Sequence, residues 1–271
     1  MIVIGELINS TRKQVRPAIE QRDTEAVQKM ARDQAEAGAS IIDVNSGAFV
    51  QGEAELLVWL VETVQAVVDL PCGLDSPRPA AIEAALRVHK GQPLINSITA
   101  ETDRMAALLP LIGEYKPKVL CLCMDDSGIP NKTEPRIEIA LRLVDVVKAQ
   151  GVADGDIFVD PCILPVSSPD MEGTSDHPGE IVMRTYRAVR EKHPGVHLCG
   201  GLSNVSYGLP KRKLVNRAAL LCYMAHGMDS AIVDPLDQTM MSLMLAAETI
   251  LNRDEFCMNY IAADRAERLV V

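Results

Sequence analysis

The sequence predicts a (β/α)8 barrel, because short apolar runs alternate eight times with segments that have the apolar spacing of amphipathic helices. The runs are continuously apolar, which is typical of parallel strands buried on both faces. The chain has 271 residues, and single α/β barrels commonly reach about 250 residues. We therefore expect residues 1–271 to form one barrel domain, although a doubly wound sheet is compatible with the same alternation.

The strands and helices follow each other in strict order. The predicted strands are Ile2 to Gly5, Ser40 to Val44, Cys72 to Leu74, Pro93 to Ile95, Lys118 to Met124, Ile157 to Val159, Val196 to Cys199 and Ser230 to Val233. The predicted helices are Thr24 to Ala37, Glu53 to Val68, Pro79 to His89, Thr102 to Glu114, Glu134 to Gln150, Gly179 to His193, Arg212 to His226 and Gln238 to Asn252. Two units are weaker, since Pro71 precedes the short third strand and the Asn9 to Glu20 stretch carries Pro17 at what would be a first helical turn.

Composition excludes several classes of function. The net charge of -10 argues against binding to nucleic acid or to an anionic membrane, because both need clustered lysine and arginine. Aromatic residues make up only 3%, too few for a single-strand stacking platform. The longest apolar runs, such as Lys118 to Met124, are far shorter than the roughly 20 residues of a membrane span.

The N-terminus and the cysteines indicate a reducing, cytoplasmic location. The chain enters an apolar strand at once and meets Glu6, without the basic start of a secretory signal. There are seven cysteines, an odd number. Most lie inside apolar runs, where a free thiol behaves as a small apolar side chain: Cys121, Cys123, Cys199 and Cys222.

A long irregular connection runs from Pro161 to Pro178 and contains Pro165, Pro169 and Gly173. It is compatible with an ordinary surface loop and with an active-site lid, because loops of this length inside a barrel are often functional.

Polar side chains follow nearly every predicted strand. Active sites of barrels lie at the carboxyl ends of the strands, so these side chains should converge on one mouth. A single such aspartate would be read as a helix N-cap, but a full ring of them favours a binding site. The ring consists of Glu6, Asn9, Asp43, Asn45, Asp75, Asn96, Ser97, Asp125, Asp160, Ser203, Asn204 and Asp234.

The chemistry of this ring suits a flat nitrogen heterocycle. Carboxylates accept pairs of hydrogen bonds and amides both donate and accept, which matches adjacent ring and exocyclic N–H groups such as those of a pterin. A phosphorylated sugar fits less well because its dianion would meet the aspartates, although Gly200-Gly201 could imitate a phosphate-binding loop. The five histidines fall mostly on helices or at strand starts, which argues against zinc, whereas magnesium or calcium at the aspartates stays open. No nucleophile with an adjacent base is visible.

Six segments carry a resemblance to a known family. In order and spacing they resemble the methyltetrahydrofolate:corrinoid methyltransferases and the folate-binding domain of cobalamin-dependent methionine synthase, from Met1 to about Leu251. The most specific are GLSNVS, IIDVN and LDS. The segments are VIGELIN (3–9), IIDVNSG (41–47), LDS (74–76), INSI (95–98), DP (160–161) and GGLSNVS (200–206).

The resemblance implies a pterin-binding barrel, usually a homodimer, with tetrahydrofolate or 5-methyltetrahydrofolate as substrate and a corrinoid on a separate protein as partner. Asp75, Asn96 and Asp160 match the residues that hold the pterin ring. Asn204 matches the asparagine that hydrogen-bonds the methyl-bearing nitrogen, and we expect it to stabilise positive charge there. Tyr207 is a departure at a position where the resemblance implies glutamine in the acetogen enzymes and an aromatic residue in methionine synthase. Further wall positions are matched by Gly201, Ser203 and Arg212, and the polar rim of the first two strands is matched by Glu6, Asn9, Asp43 and Asn45.

Two other functions share features with this sequence. Dihydropteroate synthase is similar at IIDVNSG, but a Ser-Arg-Lys type motif that would grip diphosphate has no convincing equivalent after the seventh strand. A non-catalytic folate-binding subunit is disfavoured by Asn204 beside complete pterin ligands. The direction of methyl transfer, either into acetyl-CoA synthesis or from O-demethylation and methylamine-type pathways, is left open by the sequence.

Overall fold

The computed structural model describes residues 1–168 and 175–270, in which strands and helices alternate as predicted. The strands are β1 Ile2–Asn9, β2 Ile41–Asn45, β3 Cys72–Asp75, β4 Leu94–Ala100, β5 Lys118–Asp125, β6 Ile157–Asp160, β7 His197–Leu198 and β8 Ser230–Val233. The helices are α1 Arg16–Glu20, α2 Thr24–Glu36, α3 Glu53–Gln65, α4 Pro79–Val88, α5 Thr102–Tyr115, α6 Thr133–Ala149, α7 Pro178–Lys192, α8 Arg212–Ala225, α9 Gln238–Ile250 and α10 Met258–Arg265.

The eight strands form one parallel sheet in the order β7-β6-β5-β4-β3-β2-β1-β8. Two backbone hydrogen bonds join its ends, from Asp229 N to Leu198 O and from Ile232 N to Gly200 O, both 3.1 Å long. The sheet is thereby closed, and the predicted (β/α)8 barrel is confirmed.

Three strands differ in length from the prediction by two residues or more. β1 continues past its polar Glu6 to Asn9, and β4 continues past Asn96 to Ala100, because irregular pairing with the neighbouring strand keeps each one in the sheet. β7 is reduced to two residues, since the chain turns away at Gly200. The C-terminal α10 was not predicted, whereas α1 carries Pro17 in its first turn as expected.

The barrel has two layers of core. Its interior is filled by Ile4, Ile41, Leu94, Leu120, Phe158 and Cys199, and the second layer lies between the strands and the helices. Along β5, Leu120 and Leu122 belong to the interior, whereas Cys121 and Cys123 face the helices as buried free thiols. Cys222 departs from the expectation, because it lies on an exposed face of α8.

The long connection after β6 is attached at both of its described ends. Val166 N donates to Val205 O over 3.0 Å, and Asp176 Oδ2 accepts from Thr133 N and Oγ1 at 2.8 and 2.6 Å. The Pro161 to Pro178 connection, for which the sequence left a surface loop and a lid open, includes residues 169–174, which lie outside the described residues. Within the described ranges, no helix is both long enough and apolar enough to cross a membrane.

Truncating the barrel interior should destabilise the protein strongly. Leu94 is fully buried there, so we expect Leu94→Ala to lower the free energy of unfolding by about 2–5 kcal/mol. Leu214→Ala, at a side chain that is 69% exposed, is the matched control and should change it by less than about 0.5 kcal/mol. Urea unfolding of both variants measures the difference, and equal losses would contradict this packing.

Candidate active site

A cavity of about 450 Å³ opens at the carboxyl ends of the strands. Its apolar base is the upper end of the barrel interior, formed by Leu120, Leu122 and Ile232. Ten of the twelve residues that the family resemblance assigns to the site line it: Glu6, Asn9, Asp43, Asp75, Asn96, Asp160, Gly201, Ser203, Asn204 and Arg212. Most of the predicted residues therefore converge on one cavity, although Asn45 and Tyr207 are not among the lining residues, nor are Ser97, Asp125 and Asp234 of the predicted polar ring.

Asp43, Asp75 and Asn96 come from neighbouring strands and form one polar group. Asn96 Nδ2 donates to Asp43 Oδ1 over 3.1 Å, which leaves the amide oxygen of Asn96 free to accept. Close approach is possible because Gly73 lies beside Asp43, where a Cβ would stand 2.5 Å from Asp43 Oδ1.

Asp43 and Asp75 hold a proton between them. Burial raises the pKa of Asp43 well above its ordinary value, and the neighbouring charge of Asp75 raises it further. Burial also raises the pKa of Asp75, but hydrogen bonding by Asn45, the cation of Arg104 and the Asp43 hydroxyl act in the opposite direction. Protonated Asp43 is thus the donor and Asp75 the acceptor, because two adjacent buried carboxyls cannot both ionise.

Asn45 lies behind this pair and is buried. Its Oδ1 accepts from Ser10 Oγ at 2.9 Å and from Gly47 N at 3.0 Å, while its side chain bonds Asp75. It orients Asp75 instead of lining the cavity.

Asp160 stands across the cavity on β6. Its Oδ1 accepts from Cys162 N at 2.8 Å and its Oδ2 from Gly201 N at 3.3 Å. Burial raises its pKa to about 6, while these N–H groups and the cation of Arg136 hold the pKa down. Near neutral pH the carboxylate is an acceptor that these two backbone N–H groups orient.

The loop after β7 forms one wall. A short 3-10 turn, Leu202–Asn204, carries Asn204, whose side chain is exposed and has no hydrogen-bond partner among residues 1–168 and 175–270. Arg212 fixes this loop by donating to the Ser203 carbonyl and, over 3.1 Å, to Ser206 Oγ. Tyr207 is 68% exposed and lies with its ring 5.9 Å from the Arg212 guanidinium, outside the cavity.

Glu6 and Arg12 form a charged edge of the cavity, of which the sequence predicted only Glu6. Burial raises the pKa of Glu6, which Arg12 lowers and Asp234 raises. An irregularity in β1 between Gly5 and Ile8 lets both Glu6 and Asn9 reach the cavity.

Five lining residues were not predicted, namely Thr11, Arg12, Leu120, Leu122 and Ile232. The two-residue period of β5 could have identified Leu120 and Leu122 as interior positions. Arg12 carries no comparable signal, because it lies in a turn after β1. No group of three or more histidine, cysteine or acidic side chains in the described part of the chain is arranged to hold a metal ion.

The sequence matches the model of the family "Pterin binding enzyme" over residues 5–234. The chain belongs to the pterin-binding enzyme family. This pterin-binding enzyme is 35% identical over 271 residues to the methylcorrinoid:tetrahydrofolate methyltransferase of Eubacterium limosum, covering 99% of this chain and 98% of that protein. The resemblance to folate:corrinoid methyltransferases is thereby confirmed.

Two further proteins are similar to this enzyme, one in sequence and one in fold. It is 29% identical over 242 residues to the methionine synthase of Mycobacterium tuberculosis, which is 86% of this chain and 20% of that protein. Its fold is similar to that of Xanthomonas albilineans dihydropteroate synthase, with a TM-score of 0.67 and 19% identity over 93% of this chain and 92% of the other. The second likeness concerns the fold alone.

The carboxyl cluster should make the unliganded enzyme less stable as the pH rises. Its pKa values in the folded state lie above the unfolded value of about 3.9, so the folded state binds more protons between about pH 4 and 7 and stability falls across that range. Asp75→Asn removes one ionisable group and should make this fall shallower in urea unfolding. Asp103→Asn, an equal charge change at an exposed position, serves as the control; an unchanged slope in Asp75→Asn would refute the cluster's role.

Proposed function

We propose that the enzyme transfers a methyl group between tetrahydrofolate and the cobalt of a corrinoid that a separate protein carries. The observation that carries this proposal is the convergence of Asp75, Asn96 and Asp160 on one cavity, with the uncommitted amide of Asn204 at its edge. The name of the full-length Eubacterium limosum relative supports the same reaction, and it favours the direction from methylcorrinoid to tetrahydrofolate.

Asp75, Asn96 and Asp160, which we call the floor residues, would recognise the pterin by its N–H groups. The carboxylates of Asp75 and Asp160 accept from the ring and exocyclic nitrogens, and the free amide oxygen of Asn96 accepts from a further N–H. The apolar surface of Leu120 and Leu122 packs beneath the ring, which excludes water and strengthens these hydrogen bonds. Asp43 stays protonated, so that the Asp43–Asp75 pair carries a single negative charge.

Asn204 would act on the methyl-bearing nitrogen. This nitrogen gives up a proton when it gains the methyl group, and it needs positive character when it loses the group. Asn204 can hydrogen-bond either form because its amide both donates and accepts. The proton itself passes to or from another group, since an amide does not ionise in this range. The corrinoid, when its protein is docked over the mouth, supplies or accepts the methyl group at cobalt.

We further propose that Glu6, Asn9, Gly201, Ser203 and Arg212 form the wall around the folate, as the family pattern implies. Tyr207 would brace Arg212 from outside.

We also propose that the chain is a single domain that acts in the cytoplasm as a homodimer. Exposed apolar side chains near the C-terminus support pairing, since Ile250 is 84% and Phe256 83% exposed.

Methyl transfer can be tested directly with tetrahydrofolate and free methylcobalamin. We expect the visible spectrum of methylcobalamin to change with time under anaerobic conditions, only when both enzyme and tetrahydrofolate are present. A folate-binding subunit without activity would bind tetrahydrofolate in calorimetry but leave the spectrum unchanged, and that result would refute the proposed reaction.

Asn204→Ala should separate catalysis from binding. If Asn204 stabilises charge at the reacting nitrogen, the variant loses about 10²-fold or more in turnover, while tetrahydrofolate affinity changes much less. Asn259→Ala, on the distant α10, is the matched control and should keep both values. Equal losses in turnover and affinity would contradict a transition-state role for Asn204.

A further inference from the structure

Two arginines on the outer helices donate hydrogen bonds to the backbone carbonyls of residues that come just after the proposed pterin-binding residues in the sequence. Arg136 belongs to the first turns of α6 and Arg104 to the first turn of α5. Neither lines the cavity. Each has its guanidinium bonded to carbonyl oxygens, and neither forms an ion pair within the described ranges 1–168 and 175–270.

Arg136 is almost fully buried, with 1% of its surface exposed. Its Nη1 donates to the carbonyls of Pro161 and Cys162, the latter over 3.0 Å, and its Nη2 donates to the carbonyl of Pro130. A buried cation is costly unless it is hydrogen-bonded, and these carbonyls satisfy Nη1 and Nη2 of Arg136, whereas its buried Nε has no partner within residues 1–168 and 175–270. The position of the side chain therefore depends on these carbonyls. The planar fork of arginine can reach all three, which the single ammonium of lysine cannot do in the same geometry.

The carbonyls that Arg136 binds belong to the segment that fixes Asp160. Pro161 and Cys162 follow Asp160 directly, and Cys162 has a left-handed backbone with φ of 59°. In that conformation its N–H points back and donates to Asp160 Oδ1 over 2.8 Å. Because a left-handed backbone is unfavourable for a non-glycine residue, it requires outside support, and Arg136 provides it.

Arg104 makes the equivalent contacts on the other side of the barrel. Its Nε donates to Ser97 O over 2.8 Å, its Nη1 to Pro77 O over 2.7 Å and its Nη2 to Ser76 O over 2.9 Å. Ser76 and Pro77 follow Asp75, and Ser97 follows Asn96. One side chain therefore ties the end of β3 to the middle of β4, just beyond the two residues that face the cavity.

We propose that Arg136 and Arg104 are positioning residues of the folate site, which hold Asp160, Asp75 and Asn96 at the spacing that the pterin ring requires. The inference rests on the proposed function and goes beyond it, because it assigns the geometry of the floor to two side chains that never contact the substrate.

Electrostatics at Asp160 point the same way. Around Asp160 lie Arg136 of α6 and thiols or phenols from β5, the segments that follow β6 and β7, α7 and α8: Cys123, Cys162, Cys199, Tyr186 and Tyr223. Burial raises the pKa of each of these thiols and phenols, so they are neutral at pH 7. Arg136 is the cation that lowers the pKa of Asp160, and Arg104 does so for Asp75. Each arginine thus favours the ionised acceptor that it also positions.

The test is tetrahydrofolate binding to the full chain between pH 5 and 8, measured by calorimetry. In the wild type, affinity should rise with pH through about 6, because ionised Asp160 is the acceptor. Arg136→Met should weaken binding at pH 7 by about 10-fold or more and move the midpoint to higher pH, since it removes both the fork and the charge. Arg136→Lys should keep the midpoint near that of the wild type while weakening binding at every pH.

Arg142→Met supplies the matched control, because Arg142 lies on the same helix with an exposed side chain. Its binding curve should coincide with that of the wild type. A folded Arg136→Met variant with the wild-type binding curve would show that Arg136 has only a structural role, and it would overturn the inference.

Arg104→Gln keeps the inference falsifiable if Arg136→Met does not fold, because Arg104 is only half-buried. It should weaken tetrahydrofolate binding about 10-fold, and unchanged affinity would again overturn the inference. Absence of binding by the wild type is a different result, since it would refute the proposed function itself and the inference with it.

Discussion

The closure of the barrel between β7 and β8 is the constraint on which the site depends. β7 has only two residues, so a side chain completes its pairing: Asp229 accepts from Leu198 N at 2.8 Å and from Arg190 Nη2 at 2.9 Å. Although burial raises the pKa of Asp229, hydrogen bonds from His197 and Leu198 and the charge of Arg190 lower it overall. The ionised carboxylate thus replaces part of a strand ladder, and the loop that carries Asn204 leaves the barrel from this point.

Close packing beneath that loop is equally specific. A Cβ on Gly200 would stand 2.5 Å from Ile163 Cδ1 and 3.0 Å from the Tyr186 hydroxyl. Tyr186 in turn donates to Cys199 O over 2.6 Å. The backbone therefore passes directly over the buried tyrosine, and Gly201 N reaches Asp160. The same strand end closes the barrel and supplies one hydrogen bond to the floor of the cavity.

The sequence could predict the barrel and most of the mouth because both depend on local patterns. Continuous apolar runs identify parallel strands, and the carboxyl ends of such strands must meet at one rim. The same pattern could not show that Asn45 turns behind Asp75, because that orientation depends on Ser10, which is 35 residues away. The contacts of Arg104 and Arg136 could not be predicted for a similar reason, because each side chain also bonds backbone carbonyls in a neighbouring βα unit. Tertiary hydrogen bonding, more than strand propensity, decides these details.

The division between floor and rim explains how one fold can serve different reactions. The structural likeness to dihydropteroate synthase extends over the whole barrel at 19% identity, so the fold alone does not select a chemistry. A floor of oriented acceptors, with Asp75 and Asp160 opposite each other, suits a pterin whatever reaction follows. Once the ring is fixed, the position of its reacting nitrogen relative to the loop after β7 is fixed as well. Under the proposed function, the choice of chemistry then falls to Asn204, and the two arginine-braced strand ends determine whether that nitrogen lies within its reach.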